Sequence, residues 1–426
     1  MSRKIVTNAS WIMLGRFFQL GLTFLTTMLV TRYLGPAEFG KLNYVFSYIQ
    51  FFIPLCTMGM NDIVVKQLVD NREKNDEILG SIIIIRLIAS TVSMICSVAL
   101  VMAFNDGEIY RTIAILQSFS LLFQSFDTLM YFYQSRLMSQ KSGTAYALAF
   151  IISSIFRIIG IVYKQDIRWF AFAMSFDYIM LAVLLLSFYL GDRNHLKFSM
   201  STAIDLLKKS YHYILAGMLV VIYGKVCDIL FLGKMIDEAS VGYYTAATSL
   251  CNAWPFVLTA IIDSLAPPII ETYKEDKEQF KTRLKQLYAI IFYLSFFVAI
   301  MINLLAKFII YTLYGAEYEG AILPLRIVCL STAFSYLGVS RTIWMQCKNL
   351  TRYETIIALF GAAVSICLNY FLIKQLGIKG AAISAVLTQL LTNFIFLFVM
   401  KDTRENARLI LDAILLRGVL KRGGKS

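Results

Sequence analysis

The sequence predicts an all-α, polytopic membrane protein with about 12 transmembrane helices in two six-helix bundles that form a central cleft. Of its 426 residues, 58% are hydrophobic and only 16% are charged, far from the averages of soluble domains. Apolar stretches of about twenty residues, the length that crosses a hydrocarbon core of roughly 30 Å as a helix, recur along the whole chain. The connections between them are too short to hold a soluble catalytic domain.

The predicted spans alternate with short polar connections. They cover residues 10–30, 43–65, 79–104, 110–133, 143–163, 169–190, 211–233, 243–268, 286–306, 321–345, 354–373 and 379–400. Residues 11–30 have full spanning length and no small-residue cleavage site follows, so they are predicted as the first span rather than a cleaved signal. Asp177, Asp263 and Arg326 interrupt three spans, and broken or polar helices are typical of transport sites.

The basic residues predict the orientation. With a cytoplasmic N-terminus, the inner segments hold 25 of the 40 Lys and Arg residues, the outer segments nine and the spans six. Because cytoplasmic connections are enriched in Lys and Arg, both termini are expected in the cytoplasm. The net charge of +13 is mostly this topological signal, so no nucleic-acid partner is expected.

The two halves of the chain resemble each other. A shift of 202 residues places segment 32–40 over segment 234–242, and each runs from a basic residue through an acidic turn to a glycine. We therefore predict bundles over residues 1–200 and 201–400, related by an axis along the membrane normal, and a basic amphipathic cytoplasmic tail over 401–426. Residues 403–420 of this tail are expected to lie on the anionic inner leaflet.

Ionisable residues inside the spans are the strongest functional signal. There are eleven: Arg16, Asp62, Arg86, Asp127, Arg157, Asp177, Lys225, Asp228, Asp263, Arg326 and Arg341. Each would cost about 2.5–3.5 kcal/mol at a lipid-facing helix centre, so they must face protein or water. One interpretation is structural, because six bases and five acids could neutralise one another, for example Lys225 with Asp228 or Arg16 with Asp62.

The functional interpretation assigns two sets of residues. The predicted cavity cations, which would bind a phosphate or diphosphate through guanidinium forks and a mobile ammonium, are Arg16, Arg86, Lys225 and Arg341. The residues predicted for charge balance or for binding a coupling proton or sodium ion are Asp62, Asp228 and Asp263.

The sequence contains no motif typical of ATP hydrolysis, metal binding or cofactor binding. It has no GxxxxGK[ST] phosphate loop, so the chain is not expected to hydrolyse ATP. It has two histidines, and its seven cysteines lack CxxC spacing, so neither a metal site nor a cofactor is expected. The chain is thus predicted not to be an enzyme.

Three segments of the first hundred residues resemble Wzx-type polysaccharide flippases of the multidrug/oligosaccharidyl-lipid/polysaccharide exporter superfamily. They are NASW at 8–11 with Arg16, TRYLGPAEFG at 31–40 and GMND at 59–62. The second half matches mainly in span count and in GYYTAA at 242–247 and GAA at 380–382. Twelve spans fit this branch better than the fourteen typical of lipid II flippases.

The resemblance implies a V-shaped cleft between two six-helix bundles and flipping of undecaprenyl-diphosphate-linked oligosaccharide across the bacterial cytoplasmic membrane. It also implies charged cavity residues on spans 1, 2, 7 and 8, which correspond to Arg16, Asp62, Lys225 and Asp263. The expected partners are lipid-linked oligosaccharide, membrane lipids, and a glycan polymerase with its chain-length machinery. The alternatives are a cation-coupled multidrug antiporter of the same superfamily, a polytopic glycan polymerase and a structural assembly factor.

Overall fold

The computed structural model describes residues 3–59, 61–192 and 195–419, and every regular element within these ranges is a helix. This confirms the predicted all-α fold. The chain divides into two compact units, Met1–Val221 and Ile222–Ser426. The division lies between Val221 and Ile222, where the helical backbone changes from α to π geometry. The predicted domain boundary was at residue 200.

The first unit contains eight α-helices. They are α1 (Arg3–Thr57), α2 (Asn61–Asp70), α3 (Asn75–Phe104), α4 (Glu108–Gln124), α5 (Thr128–Ser135), α6 (Ser139–Val162), α7 (Ile167–Gly191) and α8 (Met200–Val221). Predicted spans 1 and 2 both lie largely in α1, which is broken at Gly35 with φ 72° and ψ 172°. Glycine tolerates this positive φ and Pro36 lacks an N–H group, so the helix turns there.

The second unit contains ten α-helices. They are α9 (Cys227–Met235), α10 (Glu238–Ala253), α11 (Phe256–Glu275), α12 (Lys277–Leu313), α13 (Ile322–Val328), α14 (Ser331–Cys347), α15 (Arg352–Leu376), α16 (Ile378–Leu390), α17 (Phe396–Val399) and α18 (Arg404–Ile414). Two π-helical segments, Ile222–Val226 and Leu391–Ile395, interrupt predicted spans 7 and 12. Such bulges are rare and occur frequently at functional sites.

Eight helices of the described residues are long and apolar enough to cross a membrane, and the bent pair α13–α14 makes nine. They correspond to predicted spans 3–6 and 8–12. Predicted spans 1 and 2 lie largely in α1, and predicted span 7 lies in α8–α9. Both regions contain a break in the α-helix and side chains that are not described. The bend of 47° between α13 and α14 supports the expectation that span 10 is irregular.

The tail helix α18 packs on protein. Its apolar residues Ala407, Ile410 and Ala413 are fully buried in the core of the second unit, and Asn406 Nδ2 donates to Tyr288 Oη at 2.7 Å. Glu405 also pairs with Lys348 at 3.1 Å. The expectation that this apolar face lies in the membrane surface is therefore wrong, because α12 and its neighbours cover it instead.

Candidate functional site

Three of the seven predicted site residues have side chains outside the described part of the structure. Arg16 lies on α1, Asp62 on α2 and Lys225 in the π-segment 222–226. Their roles, and the pairings proposed for them, stay predictions. The other four, Arg86, Asp228, Asp263 and Arg341, have described positions.

Arg86 is a buried cation of the first unit, with only 2% of its surface exposed. Its Nε donates to the Cys56 carbonyl at 3.1 Å, its Nη1 to Thr128 Oγ1 at 2.7 Å and its Nη2 to the Gln124 carbonyl at 3.4 Å. Cys56 and Gln124 lie at the C-terminal ends of α1 and α4, where carbonyl groups lose their helical partners. The guanidinium thus ties together two broken spans.

A cavity of about 290 Å³ lies close to this cation in the first unit. It is lined mainly by polar and aromatic side chains from α1, the turn before α5, and α5 to α7: Gln19, Asp127, Tyr131, Tyr146, Phe150 and Tyr178. Asp127 is within electrostatic range of Arg86. The sequence revealed Asp127 as an intramembrane charge, but not that tyrosines from three helices surround it.

Arg157 on α6 and Asp177 on α7 form an ion pair inside the first unit. The Arg157 Nη2 to Asp177 Oδ2 distance is 2.5 Å, and the two side chains are 10% and 13% exposed. The interpretation that intramembrane charges neutralise each other therefore holds for this pair. Arg157 Nη1 and Asp177 Oδ1 are buried and have no hydrogen-bond partner among the described residues.

Replacing Arg157 by leucine alone is expected to lower the free energy of unfolding by about 3–5 kcal/mol, because it leaves Asp177 buried and unpaired. Replacing both residues by leucine should cost less than the single change. The matched control is Arg168→Leu, since Arg168 forms only an exposed pair with Asp166. Chemical unfolding of the purified variants measures this, and equal losses for Arg157→Leu and Arg168→Leu would contradict it.

Asp228 is the second residue of α9, which directly follows the first π-segment, and it is 3% exposed. Tyr244 Oη on α10 donates to its Oδ2, and Asn369 Nδ2 on α15 donates to its Oδ1 at 2.8 Å. The single amide oxygen of Asn369, Oδ1, is buried and accepts no hydrogen bond from the described residues. The carboxylate is thus held by donors from two other helices, and an unused oxygen acceptor belongs to the same cluster.

Arg341 on α14 is the corresponding buried cation of the second unit, at 5% exposure. Its Nη1 donates to Asn393 Oδ1 at 3.4 Å, and Asn393 Nδ2 donates to Gln389 Oε1 at 2.7 Å. Gly338 makes room for this contact, because a Cβ there would lie 2.4 Å from Asn393 Oδ1. Asn393 belongs to the second π-segment, so both π-segments lie beside buried polar groups.

A second carboxylate shares the Arg341 environment. Glu354 on α15 is within electrostatic range of Arg341. Arg341 Nε and Glu354 Oε1 are nevertheless both buried without a hydrogen-bond partner. The Arg341 guanidinium therefore retains donor capacity that the described residues do not use.

A cavity of about 90 Å³ lies in the second unit. Its described lining contains no charged residue and is rich in hydroxyl and amide groups: Thr248, Asn252, Ser331, Ser335, Tyr336 and Gln389. Tyr244, the donor to Asp228, also lines it, and Gln389 leads through Asn393 to Arg341. Neither Asp228 nor Arg341 lines the cavity, but each is linked to its wall by hydrogen-bonded side chains, Asp228 through Tyr244 and Arg341 through Asn393 and Gln389.

Asp263 stands apart from this cluster. It lies on α11, and its side chain is exposed. The described residues do not bring it into contact with Asp228 or Arg341, and its role in charge balance stays a prediction.

The buried charges, the broken helices and the polar cavities inside membrane-spanning bundles define a polytopic transporter. A family model described as "Polysaccharide biosynthesis protein" matches residues 29–323. The chain therefore belongs to this family, and its resemblance to polysaccharide flippases of the multidrug/oligosaccharidyl-lipid/polysaccharide exporter superfamily is confirmed.

Similar proteins agree with this assignment. An "Uncharacterized membrane protein in cps region" from Klebsiella pneumoniae is 20% identical over 424 residues, covering 95% of this chain and 84% of the relative. A solved structure of the lipid II flippase MurJ in an inward closed conformation has a TM-score of 0.74 at 16% identity, over 97% of this chain and 93% of that one. An inward-facing multidrug resistance MATE transporter has a TM-score of 0.69 at 15% identity, over 92% and 96%. The two structural likenesses show the fold alone.

Proposed function

We propose that the protein flips undecaprenyl-diphosphate-linked oligosaccharide repeat units across the bacterial cytoplasmic membrane by alternating access. These units would supply the synthesis of O-antigen, capsule or exopolysaccharide. The observation that carries the proposal is the hydroxyl-rich cavity of the second unit, which has a buried guanidinium two side chains away. Such a lining suits a substrate that combines many hydroxyl groups with a diphosphate.

The cations would hold the diphosphate. The guanidinium of Arg341 retains an unused donor, and guanidinium groups match phosphate oxygens in bidentate geometry. Arg16 and Lys225 are proposed as further contacts, while Arg86 would have to release part of its present bonding to take part. The polyprenyl tail would remain in lipid during transfer, because moving it into a polar cavity would be costly.

Asp228 is the residue we propose for cation coupling. Its carboxylate is buried, is held by Tyr244 and Asn369, and lies beside the unused amide oxygen of Asn369. Carboxylate and amide oxygens are the ligands that hard cations prefer, and a lone carboxylate can instead carry a proton. Binding and release of a proton or sodium ion would then return the empty transporter.

A cation-coupled multidrug antiporter is the second candidate function. The observation that favours it is the cavity of the first unit, where Asp127 lies among aromatic side chains, since aromatic rings and a carboxylate attract organic cations. Arg86 lies within electrostatic range of the same carboxylate and counts against a cationic substrate.

Lipid analysis of a deletion strain tests the proposal. We expect single lipid-linked repeat units to accumulate on the cytoplasmic leaflet, surface polysaccharide to disappear, and the intact gene to restore both. Normal glycan with increased drug sensitivity would instead support the antiporter. Single units stranded on the outer leaflet would point to a polymerase, which we otherwise propose as a partner together with the chain-length machinery.

A further inference from the structure

We infer that the cavity of the first unit binds one sugar ring of the transported oligosaccharide. This inference rests on the proposed function. It assigns a role to a second site, whose lining residues are not among those predicted to contact the diphosphate. The cavity is lined by both aromatic and polar side chains, the two kinds of group that a sugar ring with C–H faces and hydroxyl edges can contact.

The aromatic part of the lining includes Tyr146 and Phe150, one turn apart on α6. Their rings are nearly parallel, with an angle of 10° between the planes and 6.2 Å between the centroids. Both residues line the cavity, so aromatic rings contribute to its wall. The C–H face of a pyranose ring can pack on such a surface, which contributes contact area without restricting the hydroxyl groups at the edge of the ring.

The polar part of the lining includes Asp127, Tyr178 and Gln19, which come from three different parts of the first unit. An ionised carboxylate only accepts hydrogen bonds, and a sugar ring offers several adjacent O–H donors. Hydrogen bonds to a charged acceptor are stronger than those between neutral groups. Asp127 forms no ion pair with any described residue, so its oxygens are available to the cavity.

The charge balance favours a sugar over an organic cation. Arg86 is held by Cys56, Gln124 and Thr128, so its positive charge lies near Asp127 in this structure. A cationic ligand would add a second positive charge, whereas a neutral ring adds none. The volume of about 290 Å³ lies at the small end of ligand pockets, about 300 Å³, which fits one ring rather than a whole repeat unit.

The test is saturation-transfer NMR on the purified full-length protein with galactose, N-acetylglucosamine and glucuronate as probes, and tetramethylammonium as the competing class. Glucuronate carries a carboxylate and is included to test for a contribution from Arg16. This cation precedes Gln19 by one turn, and its side chain is outside the described residues. We expect at least one sugar to bind. Its apparent Kd should rise about tenfold in Asp127→Asn, which removes the charged acceptor but keeps the shape of the side chain.

Three variants complete the design. Tyr146→Ala should weaken binding by a similar factor because it removes half of the aromatic surface. Asp106→Asn and Tyr163→Ala are the matched controls, since both residues are exposed outside the cavity, and they should leave the Kd unchanged. The unfolding temperature of each variant, compared with the wild type, identifies any loss that comes from misfolding.

The outcomes separate this inference from the proposed function. If the wild type restores export in the deletion strain but binds none of the sugars, or binds them equally well in Asp127→Asn, the inference is wrong and the flippase proposal stands. If sugars bind through Asp127 but export is not restored, the flippase proposal fails. Binding of tetramethylammonium alone, lost in Asp127→Asn, would make the cavity a cation site and overturn the inference.

Discussion

Replacing Asp228 by asparagine is expected to abolish cation-driven export while leaving the fold intact. Asparagine has almost the same shape; its single oxygen can accept from Asn369 and its NH2 group can donate to Tyr244 Oη, which reverses that bond, so the main change is the loss of one buried negative charge. Loss of a supporting ligand commonly weakens cation binding by about 10- to 100-fold, and loss of the charge itself should cost at least as much. Gradient-driven transfer of lipid-linked oligosaccharide in proteoliposomes measures the effect.

The matched control for this prediction is Glu317→Gln, which removes an exposed carboxylate from the same unit. Export by this control should equal that of the wild type. Full gradient-driven transfer by Asp228→Asn, at normal protein levels, would exclude Asp228 as the coupling residue.

Arg341→Ala is expected to reduce export about tenfold or more, even where the protein is inserted normally. The change removes the guanidinium, leaves the Asn393 amide oxygen without the Arg341 donor, and leaves the half-buried Glu354 without the positive charge of Arg341. Losing a hydrogen bond to a charged group costs about 1.5–3 kcal/mol, which corresponds to at least a tenfold loss of substrate binding. Surface polysaccharide and protein level, measured in the complemented deletion strain, give the result.

Two further variants make this prediction specific. Arg326→Ala is the matched control, since Arg326 lies on the neighbouring helix α13 and is exposed. Gln389→Ala removes the cavity-lining amide that is linked to Arg341 through Asn393 but keeps Arg341 itself. It should therefore also lower export. If Arg341→Ala exports as much polysaccharide as the wild type, the Arg341 guanidinium does not bind substrate and has a structural role only.

The sequence predicted the helices well wherever the apolar stretch was continuous. Spans 3, 5, 6, 9 and 11 correspond to single unbroken helices because nothing in them competes with α-helical hydrogen bonding. One irregular position was foreseen from Arg326, which interrupts predicted span 10 and lies in the bent pair α13–α14. The two π-segments were not foreseen, since an extra residue in a helical turn has no distinct composition.

The partners of the buried charges were beyond sequence reasoning. Asp228 and Asn369 are separated by 141 residues, and Arg341 and Asn393 by 52, so helical periodicity places each on a face but not beside the other. The sequence offered Lys225 as a partner of Asp228 from local spacing, and that pairing stays a prediction; the donors Tyr244 and Asn369 come from other helices and were not predicted. Only tertiary packing decides which helices meet.

Transfer of a fluorescent undecaprenyl-diphosphate-linked oligosaccharide across proteoliposome membranes tests the central claim most directly. Wild-type protein should expose lipid from the inner leaflet to an external quencher much faster than protein-free vesicles, and Arg341→Ala should reduce that rate about tenfold. If wild-type proteoliposomes expose the lipid no faster than protein-free vesicles under every imposed proton or sodium gradient, the protein is not the flippase proposed here.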